Sequence, residues 1–230
     1  MEKKDFLEAL KKLKENSKKR NFSQAVDIVI NLREIDIKRE DRKIDHFVNL
    51  PFERGKKIKA CALVDKQLLK NAQENCDLAI LNEEFPRFGK KEIKKIANDH
   101  NFFIAQANIM TEVAKYFGKV LGPRGKMPNP KAGCVVPGTA DLKPVVQRLQ
   151  KTARLITKNE ASVKALVGFE NGKDEEIAEN CLFIYNSIID DLPEGKNNIK
   201  SVILKFTMGK PYEIGKGFRH ESTAVEKTGS

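Results

Sequence analysis

The sequence predicts an α/β protein of two domains: a discontinuous α+β two-layer domain with a smaller α/β domain inserted into it. Two observations predict this. Between about residues 58 and 155, short apolar runs alternate with amphipathic stretches, the pattern of βα units around a mostly parallel sheet. The two flanking regions each offer too few elements to bury a core alone, the first one helix and one strand, the last two strands and one helix. Together they would make an ordinary two-layer domain. The expected boundaries are 1–64 with 158–215 for the outer domain and 65–157 for the insert, with a hinge at the two crossings. Residues 216–230 are expected to form a disordered polar tail.

Taken in order, residues 4–20 predict a helix, with Phe6, Leu7, Leu10 and Leu13 as an apolar stripe and a basic end at Lys18, Lys19 and Arg20. Val26, Ile28, Ile30 and Leu32 share one parity, which predicts a strand with one buried face. Residues 34–57 are mostly polar and predict a loop or short extended piece. Ile58 to Val64 predicts a strand, 65–73 a helix, Asp77 to Leu81 a strand, Gly89 to Asn98 a basic helix, Phe102 to Ala105 a strand and 109–118 a helix. After a Gly/Pro-rich loop, Cys134 to Val136 predicts a strand and Leu142 to about Leu155 a helix. In the last region Ser162 to Val167 predicts a strand. Asp174-Glu175-Glu176 opens a helix where its dipole favours acids. Ile199 to Thr207 is the last strand, and Met208-Gly209-Lys210-Pro211 turns the chain.

Composition narrows the function. In 230 residues there are 43 Lys and Arg against 32 Asp and Glu, a formal net charge of +11, so a polyanion is the expected partner. No apolar run approaches a membrane span and the N-terminus has no signal-peptide core, which predicts a cytoplasmic protein with no membrane contact. The four cysteines and three histidines are scattered without metal-ligand spacing, so the cysteines are expected in packing and no metal or cofactor is expected. Gly125-Lys126 is followed by Met127, so the hydroxyl that a Walker loop needs is missing, and no Gly-x-Gly-x-x-Gly follows the first βα strand. No nucleophile and base pattern occurs either. An enzyme is not expected, and a nucleotide-dependent one would have to bind without either phosphate fingerprint.

Gly118 to Gly133 (GKVLGPRGKMPNPKAG) is the most distinctive segment. It holds four glycines, three prolines and the four basic residues Lys119, Arg124, Lys126 and Lys131, with no acid. It must be a shaped loop. Either it faces phosphates or it holds the shape of its own domain. Phe22 lies between a basic helix end and a strand, and could be a core residue or an exposed ring for a ribose or base. Thr207-Met208-Gly209 could be a plain strand exit or a fit for an RNA minor groove with its 2′-hydroxyls.

The same residues carry a resemblance. Leu121-Gly-Pro-Arg-Gly-Lys-Met-Pro-Asn-Pro-Lys-Ala-Gly133 resembles the signature of the L-one family, the universal protein of the large ribosomal subunit's mobile side stalk. Asn21 to Asp27, Asn49-Leu50-Pro51 and Ser201 to Gly209 resemble it in the same order. The similarity spans about residues 4–214, and Lys126 before Met-Pro is similar to the archaeal branch. The resemblance implies an outer RNA-binding domain with an inserted Rossmann-like domain. It implies binding to large-subunit ribosomal RNA and movement with the stalk as deacylated tRNA leaves the exit site. It also implies repression of the protein's own mRNA, and a monomer when free. Carried over by position, Phe22, Ser201, Thr207, Met208 and Gly209 fall on the main RNA surface, and Asp27 on an acidic position that can accept from a 2′-hydroxyl or guanine amine. Arg20, Arg154, Lys158 and Lys164 are carried as further RNA contacts, and Arg124, Lys126 and Lys131 as a secondary RNA or tRNA loop. Two positions that are often basic in the family are Asn21 and Asn31 here, so those contacts are expected to be weaker or supplied by Arg20 and Arg33. A free mRNA regulator or ribosome-biogenesis factor of the same fold is the alternative.

Overall fold

A computed structural model describes residues 1–35, 44–157 and 160–218. The chain divides into two compact units, Met1–Gly55 with Ala153–Ser230, and Lys56–Thr152.

The first unit opens with helix α1 (Lys3–Glu15). The Asp5 carboxylate accepts from the Glu2 N–H at 2.8 Å, closing the helix start where the dipole favours an acid. Phe6, Ala9, Leu10 and Leu13 are its buried stripe. The helix stops at Glu15, short of the expected 20. Asn16 takes the Lys12 carbonyl with its side-chain amide at 2.9 Å, a local competitor for helical bonds. No apolar residue follows until Phe22, so further turns would bury nothing.

Strand β1 (Ala25–Leu32) alternates buried and half-buried positions, as the sequence predicts. It is the fourth strand of a five-stranded antiparallel sheet in the order β11-β10-β9-β1-β8. The others are β8 (Ser162–Phe169), β9 (Ile199–Phe206), β10 (Tyr212–Glu213) and β11 (Gly217–Phe218). Helix α6 (Asp174–Asp191) lies between β8 and β9 in sequence and packs on α1. Val26, Ile28 and Ile30 of β1 join one core with Phe6 and Leu10 of α1 and Cys181 and Ile184 of α6. Each such side chain contributes roughly 1.5–3 kcal/mol on burial. Both helices of this unit therefore cover the same face of the sheet. Gly217 and Phe218 pair with Glu213 and Tyr212, so the chain is still in a strand where a disordered tail was expected to have begun. The rest of that expected tail lies outside the described residues.

β2 (Asp45–Asn49) realises the extended alternative in the segment read as a loop or short extended piece, and β7 (Thr152–Ile156) is an unexpected strand at the end of the predicted 142–155 helix. They form a two-stranded sheet of their own. Thr157 locks the join, donating its N–H to the Ile44 carbonyl at 2.9 Å and accepting the Ile44 N–H on Oγ1 at 3.0 Å. The pairing links residues more than a hundred apart, which a local pattern cannot show.

The second unit is the alternating one. β3 (Ala60–Val64), β4 (Leu78–Leu81), β5 (Phe102–Gln106) and β6 (Val135–Val136) form a parallel sheet in the order β4-β3-β5-β6. Helices α2 (Leu69–Asn75), α3 (Lys90–Asp99) and α4 (Met110–Leu121) connect its strands, and α5 (Leu142–Lys151) follows β6. Its core gathers Leu63, Ile80, Phe85, Phe103, Phe117 and Leu121, with Phe85 and Phe117 edge to face at 5.1 Å. β3 is wholly buried and central here, so the chain enters this unit at 55/56 rather than near 64. It leaves at 152/153 rather than near 157, because β7 pairs with β2.

Candidate RNA interface

The face of the antiparallel sheet opposite α1 and α6 carries no helix of this unit among its described residues. Strand alternation places Asp27, Val29 and Asn31 there, and the register extends each into a rung across β8, β1 and β9. The rungs are Leu166–Asp27–Lys205, Lys164–Val29–Ile203 and Ser162–Asn31–Ser201. The result is a band of short polar groups, two lysines and small apolar patches. That mixture suits a sugar–phosphate surface better than a protein core.

Each member has a physical position. Asp27 is half-buried, and burial pushes its carboxyl above the ordinary value, partly offset by the positive charge of Lys205 across the rung. Asn31 donates from Nδ2 to Ser201 Oγ at 2.8 Å, so Ser201 is buried and already bonded. Lys164 is exposed and pairs with Glu160 at 3.0 Å.

At the Ala25 end of the sheet the strand exit is built with care. Thr207 Oγ1 accepts from the Ala25 N–H at 3.0 Å, while the Thr207 N–H donates to the Ala25 carbonyl at 3.1 Å. Gln24 is buried, yet its Oε1 accepts from the Met208 N–H at 3.3 Å, and its Nε2 donates to Ser17 at 3.0 Å and Glu170 at 3.3 Å. These bonds fix a turn whose own side chains are left in solvent. Met208 is 61% exposed and Phe22 is 52% exposed. Gly209 sits tightly, because a Cβ there would lie 3.1 Å from the Phe206 Cβ. Phe22 is thus a surface ring and not a core one.

Other expected residues go elsewhere. Arg154 stands on β7, held by both oxygens of Asp45 at 2.8 Å and stacked 5.4 Å above the Phe47 ring. Arg20 is exposed in the segment after α1. Arg33, a candidate stand-in for the missing basic residue at Asn31, spends its Nε on the Asn197 carbonyl at 2.6 Å. Lys158 lies outside the described residues. Gln24 and Lys205 went unpredicted; the alternation of β9 could have found Lys205, while Gln24 carries no sequence signal.

The Gly/Pro loop belongs to the second unit. Lys126 donates to the carbonyls of Ala97 and His100 at 2.6 and 2.7 Å. Arg124 donates to Asn98 Oδ1 at 2.6 Å and the Lys94 carbonyl at 3.2 Å. Lys126 thus satisfies orphan carbonyls at the end of α3, and Arg124 adds a second cation beside it, where the dipole favours positive charge. Burial and the neighbouring Arg124 push the Lys126 ammonium below its ordinary value. Gly133 turns at φ 69°, and a Cβ there would fall 1.4 Å from the Arg148 guanidinium. Lys131 is exposed.

No group of three His, Cys, Asp or Glu among the described residues could hold a metal ion. Burial pushes all four thiols up, Cys76 and Cys134 to about 11, as expected of packing cysteines. No described helix is long and apolar enough to cross a membrane.

Comparison with known proteins fits this arrangement. The profile of the ribosomal protein L1p/L10e family matches residues 11–210, which includes the rungs, the strand exit and the whole Gly/Pro loop. The chain belongs to that family. It is 41% identical to the large ribosomal subunit protein uL1 of Methanothermococcus thermolithotrophicus, over 94% of this chain and 100% of that one. It is 38% identical to uL1 of Methanothermobacter thermautotrophicus, over 89% and 96%. Against uL1 of Pyrococcus abyssi it is 39% identical over 91% and 94%. These relatives are archaeal and are named as ribosomal proteins, not as enzymes.

Proposed function

We propose that this protein is a constituent of the large ribosomal subunit, in the cytoplasm, and that it grips ribosomal RNA with the helix-free face of its antiparallel sheet. Family membership supports the subunit. The observation that carries the mode of binding is the strand exit: a turn pinned by Gln24 and Ala25 that nevertheless leaves Met208 in solvent. An apolar side chain held rigid and exposed is prepared for a partner.

Lysines neutralise phosphates and make binding fall with salt. Asp27, Thr207 and the Asn31–Ser201 pair supply acceptors and donors for 2′-hydroxyls. Phe22 offers a face for a ribose or base. The finer reading follows the family resemblance: the RNA is the mobile side stalk, the protein assists release of deacylated tRNA from the exit site, and it represses its own mRNA. The Gly/Pro loop is read as a shaping element, because Arg124 and Lys126 are spent on α3, leaving Lys119 and Lys131 as its outward charges.

The test is binding to a stalk-type ribosomal RNA fragment against a scrambled RNA of equal length, at two salt concentrations. A preference that survives the higher salt is expected. Equal, salt-labile binding to both would overturn the reading. Co-sedimentation with large subunits separates a resident subunit protein from a free regulator.

A further inference from the structure

The segment after β2 brings an unexplained cation to the same end of the sheet. Asn180, fully buried on α6, clamps it. Asn180 Oδ1 accepts from the Phe52 N–H at 3.1 Å, and Nδ2 donates to the carbonyls of Phe52 at 3.3 Å and Val167 at 3.0 Å. Gly55 turns at φ 88° against the Phe169 ring, where a Cβ would lie 3.6 Å from it. Phe169 pairs with Ala25, and Ala25 holds Thr207. Arg54 is therefore fixed beside the outer edge of β8. The Thr207 turn lies two strand spacings further across the sheet, roughly 10 Å.

Arg54 has a guanidinium Nε that is buried without a hydrogen-bond partner. No hydrogen bond or ion pair of Arg54 occurs among the described residues. Arg33, Arg124, Arg148 and Arg154 all have one. Burial pushes the Arg54 pKa down. A guanidinium keeps its proton at any physiological pH, so this charge is carried into the fold unmatched. A partly buried guanidinium with an unmatched Nε–H on a clamped loop is costly to keep, and a bidentate oxyanion is the group that would match it.

We infer that Arg54 is a phosphate-binding residue that extends the RNA surface past the edge of β8. The inference rests on the RNA-binding reading above. The loop is set in place before binding by Asn180, so little order is lost when a backbone phosphate docks. Arg is suited to the task because its planar fork meets two phosphate oxygens at once.

The experiment compares wild type, Arg54→Met and Arg54→Lys as full chains, against the stalk-type RNA fragment over a salt series, with thermal melts of the free proteins. Arg54→Met is expected to bind about tenfold more weakly, the loss of one hydrogen-bonded charge contact. Its log–log salt slope should fall by roughly 0.9, one phosphate fewer on duplex RNA if it behaves as duplex DNA does. Its melting temperature should hold or rise, because a buried methionine needs no partner. Arg54→Lys should keep the slope and recover only part of the affinity. Wild-type affinity and slope in Arg54→Met would overturn the inference, as would a loss of binding that tracks a loss of stability with the slope unchanged. If wild type itself does not prefer the fragment over scrambled RNA, the RNA-binding reading fails first and the Arg54 assignment falls with it.

Discussion

At the scale of single residues, Asp27 sets the fold against the proposed RNA contact. Its carboxyl is half-buried, and its pKa is raised in the folded chain. The stability cost is absent below the unfolded carboxyl value near pH 3.9, where both states are protonated, and grows as pH rises through the folded value. Asp27→Asn is therefore expected to raise the melting temperature at pH 7, with the gain vanishing near pH 3, while RNA binding weakens. Thermal melts at the two pH values and one binding isotherm check this, and a variant less stable at neutral pH would refute it. Thr207→Val should weaken RNA binding by about 1–3 kcal/mol through the lost hydroxyl. The Ala25 N–H it frees is solvent-accessible, so the melting temperature should hardly move; an unchanged dissociation constant would remove Thr207 from the interface. Phe22→Ala tests the exposed ring. It should leave stability intact and cost about 1–3 kcal/mol in binding if the ring stacks on a base.

At the scale of elements, much was legible. The alternation in Val26 to Leu32 gave β1 because one of its faces is buried, and period two is then imposed on the sequence. The helices with clear stripes, α1, α3 and α6, appear where expected, apart from the early stop at Asn16. β2 was legible only as the alternative to a loop, and β7 was not legible. Ile44, Val48 and Leu50 are buried at alternate positions, but they sit among polar residues, and Thr152 to Ile156 continues a helical pattern without a break. The Gly/Pro loop was recognisable as a shaped loop, though its work was not: only the structure shows Lys126 on the last carbonyls of α3. Lys126→Met should lower the stability of that unit by about 1–2 kcal/mol, two charge-assisted bonds at a half-exposed site. Chemical denaturation measures it, and an unchanged midpoint would mean that water replaces the lysine without loss.

At the scale of the whole molecule, the proposed RNA surface lies within one of the two units. The rungs, the strand exit and Phe22 all belong to Met1–Gly55 with Ala153–Ser230. Replacing 56–152 by a short flexible linker is expected to leave most of the specific RNA affinity, since the surface is built without the parallel sheet. Circular dichroism verifies that the shortened chain folds. If it folds and binds the stalk-type fragment no better than scrambled RNA, the division of labour is wrong.

The sequence by itself determined the basic charge, the parallel α/β segment flanked by α+β pieces, and the family signature. Each is written in composition or in local periodicity. The tertiary structure decided where the chain passes between units, because the β2–β7 pairing joins distant segments. It decided that Phe22 faces solvent, since the local pattern fits either side. It also decided which cations are free: Arg154, Arg124 and Lys126 are held by partners far away in sequence, and Arg54 is left without one.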